Sequence, residues 1–505
     1  MTGRLDRSTA PIEMTADDFR RVGHRLIDRI AEFLERMPNG KVTPGEEPAA
    51  VRGLLGRGAL PQSGTSPERL LDEAAQLLFE HSLFNGHPRF FGFITSSAAP
   101  IGALADLLAA SVNPNVGGWP LSPIATEIEL QTVRWIAELL GYPADCGGIL
   151  VSGGNVANLV GFWAARRARA DWDVRRKGIS AGSRAARVYT SKETHTWIEK
   201  AADLSGFGTD AIRWIATDAK QRMDPAALER AIEDDARDGH LPMLVVGTAG
   251  SVSTGAVDPL RAIHAICRAR SLWFHVDAAY GGPAAALAEA DPDLKALALA
   301  DSVAIDPHKW LYAPLEAGCA LVRDRALLRD TFAYHPPYYP AEKAGEDPPV
   351  FFHEFGPQNS RGFRALKVWL GLRQAGRAGY ERMIRDDIAL ARRLHERAAA
   401  NPELEAATCA LSIATFRYVP SDLPAASNDV TLGEYLNQLN QALMERLMAC
   451  GEAFVSNAVI DGRFLLRACI VNFRTTEEDI DALPEIVVRH GRALDQTLRP
   501  AALRG

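Results

Sequence analysis

Cysteine is scarce in this chain and unpaired in sequence. The six cysteines, Cys146, Cys267, Cys319, Cys409, Cys450 and Cys469, lie far apart with no CxxC spacing. That excludes a zinc-finger ligand set and a small disulfide framework, and no bound metal is expected. Long hydrophobic runs are missing too. No stretch approaches the roughly 18 apolar residues of a membrane span. Residues 1–14 carry charges without an apolar core, so no secretory leader is expected. Basic excess is absent: 56 Lys and Arg stand against 63 Asp and Glu, a net charge of −7, where a nucleic-acid surface requires a basic stripe. Internal repeats and low-complexity tracts are lacking as well. The expectation is a cytoplasmic protein that binds neither nucleic acid nor membrane.

What is present is ordinary globular material, 47% hydrophobic and 24% charged. At 505 residues the chain exceeds what one core sustains, so two or three domains are predicted. Residues 1–86 form a helical segment. Phe19, Val22, Leu26, Ile30, Phe33 and Met37 recur at helical spacing over Thr15 to Met37, behind a Thr15/Asp18 capping box. A polar connector covers Pro44 to Pro61, and a second helix is predicted over Ser66 to Phe79. These helices bury too little to stand alone and are expected to pack on another subunit or on the main domain. Residues 87–380 alternate helices with short apolar runs at Gly148 to Val151, Leu241 to Gly247, Leu272 to Val276 and Ser302 to Ile305. That is the pattern of a largely parallel sheet covered by helices, an α/β fold. Residues 381–505 change character. An Arg-rich helix over Glu381 to Ala400, strands over Cys409 to Val419 and Phe464 to Phe473, and helices over Leu432 to Met448 and Glu477 to Arg492 predict a small α+β domain. One long irregular segment, His335 to Gly356, has the length of a functional lid.

The chemistry concentrates where apolar runs end. Val303 to Ile305 reads as a buried strand that Pro307 interrupts, with His308 and Lys309 directly after. A lysine at the rim of a core is rare unless paired or used covalently. An amine held there can form an imine with a carbonyl cofactor; a surface lysine at a strand end is the plain alternative. Leu272 to Val276 runs into Asp277, followed by the small Ala278 and Ala279. A carboxylate at the end of a buried strand needs a cationic or hydrogen-bonding partner, and a protonated pyridine nitrogen is one. Ala279 leaves room for a flat ring, although a turn-capping aspartate fits equally well. Gly147 to Val151 leads into Ser152-Gly153-Gly154-Asn155 and a helix over Val156 to Ala170. A small-residue turn at a helix N-terminus suits a phosphate, yet this one matches neither GxGxxG nor GxxxxGK[ST] and is compatible with an ordinary βα turn. His195, within Ser191 to Lys200, opens a predicted helix and could stack on an aromatic ring. Asp277 and Lys309 are about one βαβ unit apart. Their strands can therefore be neighbours, with both side chains at the carboxyl edge where open α/β sheets bind ligands.

These residues resemble the group II pyridoxal-phosphate-dependent amino-acid decarboxylases, the family that includes the aromatic-L-amino-acid, tyrosine and histidine decarboxylases. The resemblance covers nearly the whole chain and follows family order. Asp18-Phe-Arg-Arg-Val-Gly23 is similar to the N-terminal helix, His87-Pro-Arg-Phe-Phe-Gly-Phe93 to a substrate-side strand, and Ser122-Pro-Ile-Ala-Thr-Glu-Ile-Glu129 to a helix start. Thr475-Thr-Glu-Glu-Asp-Ile480 is similar to the last helix start. His275-Val-Asp-Ala-Ala-Tyr280 and Asp306-Pro-His-Lys-Trp-Leu311 are the most specific matches. The resemblance implies a fold-type I α/β enzyme with a mainly parallel large domain and a small α+β C-terminal domain. It implies pyridoxal 5'-phosphate as cofactor and a homodimer with interface active sites, its N-terminal helices wrapping the partner. By resemblance, Lys309 carries the cofactor as an imine, and Asp277 keeps the pyridine nitrogen protonated. His195 stacks on the ring, with Ala279 on its other face. Gly154, Asn155 and His308 hold the phosphate. Tyr338, in Tyr334-His-Pro-Pro-Tyr-Tyr339, protonates Cα after carbon dioxide leaves.

The chain also departs from the family. Gly250-Ser251-Val252 stands for the usual Gly-Thr-Thr and is one hydroxyl short. Asp306 stands where Asn is common, a charge beside a phosphate unless it turns away. Asn85, Ile94 and Gly117 stand where aromatic-amino-acid decarboxylases place aromatic pocket residues, while Phe93 stays aromatic. The expected activity is decarboxylation of an L-amino acid, aromatic by preference, to the amine and carbon dioxide; these departures support the chemistry better than the aromatic substrate. One alternative is decarboxylation coupled to oxidation, giving an aldehyde, ammonia and peroxide; Tyr338, in place of the Phe of some plant members, favours the plain reaction. An aminotransferase fits the motifs around Asp277 and Lys309 less well. A non-catalytic scaffold is opposed by the joint presence of Lys309, Asp277 and His195.

Overall fold

Short apolar strands separated by helices assemble first into one large sheet. In the computed structural model, which describes residues 10–335, 348–423 and 430–504, its strands are β1 (Gly147–Val151), β2 (Ala186–Ser191), β3 (Ile212–Ile215), β4 (Leu241–Thr248), β5 (Trp273–Asp277), β6 (Ser302–Ile305) and β7 (Gly318–Val322). Their order is β1-β7-β6-β5-β4-β2-β3. All run parallel except β7, which is antiparallel to both β1 and β6. Every residue of β1, β5, β6 and β7 is buried, so these strands read as continuous apolar runs, as sheets covered on both faces do. Alternate residues feed two cores. Phe274, Val276, Val303 and Ile305 pack in one cluster with the helix Pro123–Leu140. Val151, Val246 and Ala304 pack in the other with the helix Gly154–Arg169. Fully burying one such Val, Ile or Phe is worth roughly 1.5–3 kcal/mol.

A second sheet contains β8 (Leu404–Ala410), β9 (Ile413–Tyr418), β10 (Ser456–Ile460) and β11 (Arg463–Cys469), all antiparallel in the order β10-β11-β9-β8. The helices Val430–Cys450 and Glu477–Leu498 cover it. This corrects two expectations. Cys409 to Val419 is a hairpin corner rather than one strand, with Leu411 at φ 48°. The other predicted strand ends at Cys469, and its partner β10 is joined to it through Asp461-Gly462, both at positive φ. Asp-Gly between two apolar runs is a strong hairpin signal. A third correction concerns His87 to Phe93, which forms no strand. Phe90 makes a single bridge to Phe454, and Phe91 donates to Phe454 and accepts from Cys469 at 2.7 and 2.9 Å, so this segment clips onto the second sheet.

The N-terminal helix is Ala16–Arg36, capped where Thr15 Oγ1 accepts from the Asp18 N–H at 3.1 Å. It pairs with the helix Pro67–Glu80 through Arg25–Asp72 and Arg29–Asp72 ion pairs and a Phe33–Phe79 stack at 4.4 Å. The connector Pro44 to Pro61 is not wholly irregular: it contains the helix Pro48–Leu55, with Pro48 opening it as proline does at a first helical position. The Arg-rich helix starts earlier than predicted and spans Ala365–Ala400, with a break at Gly376. Among the described residues no helix is long and apolar enough to cross a membrane.

Candidate active site

The parallel strands bring their carboxyl ends to one edge, and the predicted residues collect there. After β6, Asp306-Pro307 ends the strand, and the Lys309 N–H bonds to the Asp306 carbonyl at 2.9 Å, turning the chain. Lys309 Nζ then lies 3.0 Å from Asp306 Oδ2. The carboxylate of Asp306 does not turn away from the site, as a neighbouring phosphate would favour. It is 2% exposed, and Oδ2 sits so near Gly154 that a Cβ at that glycine would lie 2.6 Å from it. His308 Nδ1 bonds the Ala317 carbonyl at 2.7 Å, and burial lowers the imidazole's pKa.

Asp277 ends β5, directly beside β6 in parallel register. Its carboxylate is buried and accepts from Trp197 Nε1 at 2.7 Å and from the Ala279 N–H at 3.1 Å. No ion pair neutralises it among the described residues. The nearby imidazoles do not help. Burial holds His275 down at about 4, with Ser302 and Asn158 bonded to its two nitrogens. His195 follows β2 at the open mouth of the cavity. Its pKa is lowered chiefly by desolvation, against the pull of Asp277.

The glycine turn is seated from below. Gly153 has φ 136°, and the helix Gly154–Arg169 starts at once, aiming its free N–H groups at the cavity. β7 passes so closely beneath that a Cβ on Gly318 would lie 2.5 Å from the Gly153 backbone. β1 is fixed just before the turn: buried Glu129 accepts from the Leu150 N–H at 2.9 Å and pairs with Arg361, which also donates to the Leu150 carbonyl. This gives the Ser122–Glu129 motif a physical purpose.

Lys309, Asp277, His195, Ala279, Gly154, Asn155 and His308 thus line one cavity of about 370 Å³. Ile94, Val252 and Leu315 add an apolar rim. Tyr338 lies outside the described residues. Asn85 lines a neighbouring cavity with Phe79, Leu83 and Arg474. Gly117 is buried against the Asn359 carbonyl and has no room for a side chain. Val252 brings no hydroxyl to the cavity, and the Ser251 hydroxyl is engaged with Thr254 at 2.9 Å. Two residues had no local signal: Trp197, whose partner Asp277 is remote in sequence, and Thr248, at the end of β4. Thr248 Oγ1 and Asp306 Oδ1 are both buried without a hydrogen-bond partner, in residues that line the cavity. An amine, a carboxylate lacking a cation, a helix N-terminus and two orphaned polar atoms suit a flat, anionic, carbonyl-bearing group such as pyridoxal 5'-phosphate. Elsewhere, Cys450, Glu452 and His490 bring three possible metal donors within 4.8 Å. Arg446 Nε donates to His490 Nδ1, which leaves the ring proton on Nε2, the atom a metal would need.

Known proteins share this arrangement's sequence and shape. Residues 51–419 match the pyridoxal-dependent decarboxylase conserved domain. The chain is 32% identical to an aromatic-L-amino-acid decarboxylase of Bacillus atrophaeus, over 93% of this chain and 94% of that one. It is 28% identical to a phenylacetaldehyde synthase of a Rosa hybrid cultivar, over 95% of each. The crystal structure of Oryza sativa TDC with PLP and tryptamine superposes with a TM-score of 0.86 at 29% identity, covering 96% of this chain and 99% of that one. With the same fold, the same segments in order and a cavity suited to the same cofactor, this chain belongs to the pyridoxal-dependent amino-acid decarboxylases.

Proposed function

We propose that this decarboxylase acts on an aromatic L-amino acid, releasing the corresponding amine and carbon dioxide, with Lys309 as the covalent anchor of pyridoxal 5'-phosphate. The observation that carries this reading is the convergence of Lys309, Asp277 and His195 on one cavity beneath an apolar rim. Bound there, the cofactor supplies the electron sink for the pair left by the departing carboxylate. Lys309 would anchor the cofactor, and Asp306, 3.0 Å from Nζ, would hold that amine in place when the substrate's own amine takes its position. Asp277 keeps the ring nitrogen protonated. His195 and Ala279 enclose the two ring faces. Gly154, Asn155 and His308 would hold the phosphate at the helix N-terminus, and Tyr338 would be the proton donor to Cα. The aromatic preference draws support from the Bacillus atrophaeus relative, while Ile94 in the cavity lining stands where aromatic-amino-acid decarboxylases place an aromatic residue.

The same reading makes the protein a cytoplasmic homodimer, divided near residues 86 and 380, with its sites at the interface. Support comes from the helix Pro100–Val112, which leaves Leu104, Leu107, Leu108 and Val112 half-exposed or more, and from Phe19 on the N-terminal helix. An aldehyde-forming reaction is the second reading, favoured by the phenylacetaldehyde synthase relative. One experiment separates these. The cofactor-loaded protein is incubated with single L-amino acids, and amine, carbon dioxide and peroxide are followed together. Aromatic amine and carbon dioxide in equal amounts, without peroxide, are expected. Consumption of only non-aromatic amino acids would overturn the substrate class, and peroxide in step with carbon dioxide would establish the second reading.

A further inference from the structure

We propose that Trp197 is a positioning residue: its indole N–H locks the rotation of the Asp277 carboxylate and so fixes that carboxylate's contact with the cofactor's ring nitrogen. The inference rests on the reading that Asp277 meets that nitrogen. An aspartate's terminal torsion is broad and soft, and the single backbone N–H of Ala279 on Oδ1 leaves it free to rock. A second donor on the other oxygen removes that freedom. Trp197 Nε1 is that donor, 2.7 Å from Oδ2.

The indole is itself held. Trp197 is 1% exposed. Its ring meets His275 edge-on at 5.7 Å and 79°. His275 is in turn fixed through Ser302 and Asn158, both at 2.7 Å. Behind Asp277 there is therefore, among the described residues, a run of buried uncharged rings and no cation. Such a backing orients the carboxylate and leaves its charge for the ligand.

The test compares two cofactor forms, pyridoxal 5'-phosphate and its analogue with the ring nitrogen replaced by C–H. Their dissociation constants are measured by fluorescence titration on wild type and Trp197→Phe, after thermal melts establish that both fold. Wild type is expected to prefer the natural cofactor. Trp197→Phe should lose about tenfold in affinity for it, the scale of a hydrogen bond to a charged group, and bind the analogue within about twofold of wild type. Should the Phe variant not fold, benzothienylalanine at position 197 keeps the ring shape and removes only the N–H. Equal preference for the natural cofactor in wild type and variant overturns the role of Trp197. Equal weakening toward both forms also overturns it, because the residue would then be structural only. A wild type that binds both forms alike refutes the Asp277 reading instead.

Discussion

Lys309 Nζ lies 3.0 Å from the buried Asp306, so its reactivity depends on its surroundings as much as on itself. Lys309→Ala should lower turnover by a factor of about a thousand or more and abolish the cofactor adduct trapped by borohydride. Normal turnover in that variant would refute the anchor role. Asp387 gives a prediction in pH. It is fully buried, and burial raises its carboxyl to about 7, against hydrogen bonds from Tyr312 Oη at 2.6 Å and Trp310 Nε1 at 2.8 Å. The folded protein then keeps a proton that the unfolded chain releases near the ordinary aspartate value of 3.8. Between about pH 4 and 7 the native state binds the extra proton, and this site's contribution to stability falls as pH rises. Asp387→Asn should flatten that slope in denaturant titrations; identical slopes would contradict it. Lys309 and Asp277 were legible in the sequence because each follows an apolar run, and His195 because it opens a predicted helix. Trp197 was not, since a donor and acceptor joined only by the fold leave no local trace.

At the scale of elements, the clamp on β1 is the most exposed to test. Glu129 and Arg361 are both wholly buried. Removing one partner of such a pair strands the other, at a cost of roughly 3–5 kcal/mol. Glu129→Ala should therefore lower the melting temperature and loosen cofactor binding together, read by calorimetry and by dialysis against buffer without cofactor. Gly318→Ala should do the second with less of the first, since its Cβ would press on Gly153 and disturb the turn rather than the core. Four strands of the large sheet, β1, β4, β5 and β6, were readable because buried parallel strands are unbroken apolar runs; β2, β3 and β7 were not read from the sequence. The second sheet was read less well. Its hairpins bend at Leu411 and at Asp461-Gly462, where continuous hydrophobicity hides a change of direction. The helix Pro48–Leu55 was concealed by the glycines and prolines around it.

For the whole molecule, the proposed dimer would join the site's fate to assembly through the exposed leucines of Pro100–Val112. Leu104→Glu with Leu108→Glu should shift the sedimentation mass to that of one chain and reduce turnover at least about tenfold, since isolated charges do not enter apolar interfaces. A dimeric, active double variant would remove this helix from the interface. β7 has a further consequence, for the order in which the protein forms. β1 is made early, but among the described residues its only sheet partner is β7, and the glycine turn that β1 carries rests on Gly318. The chain must reach Val322 before that pairing can close. Pairings so distant in sequence form slowly. Competence to bind the cofactor should thus appear only in the last phase of refolding, after most helical signal has returned, and a nascent chain stopped before β7 should carry Gly154, Asn155, His195, Asp277, His308 and Lys309 yet hold no cofactor.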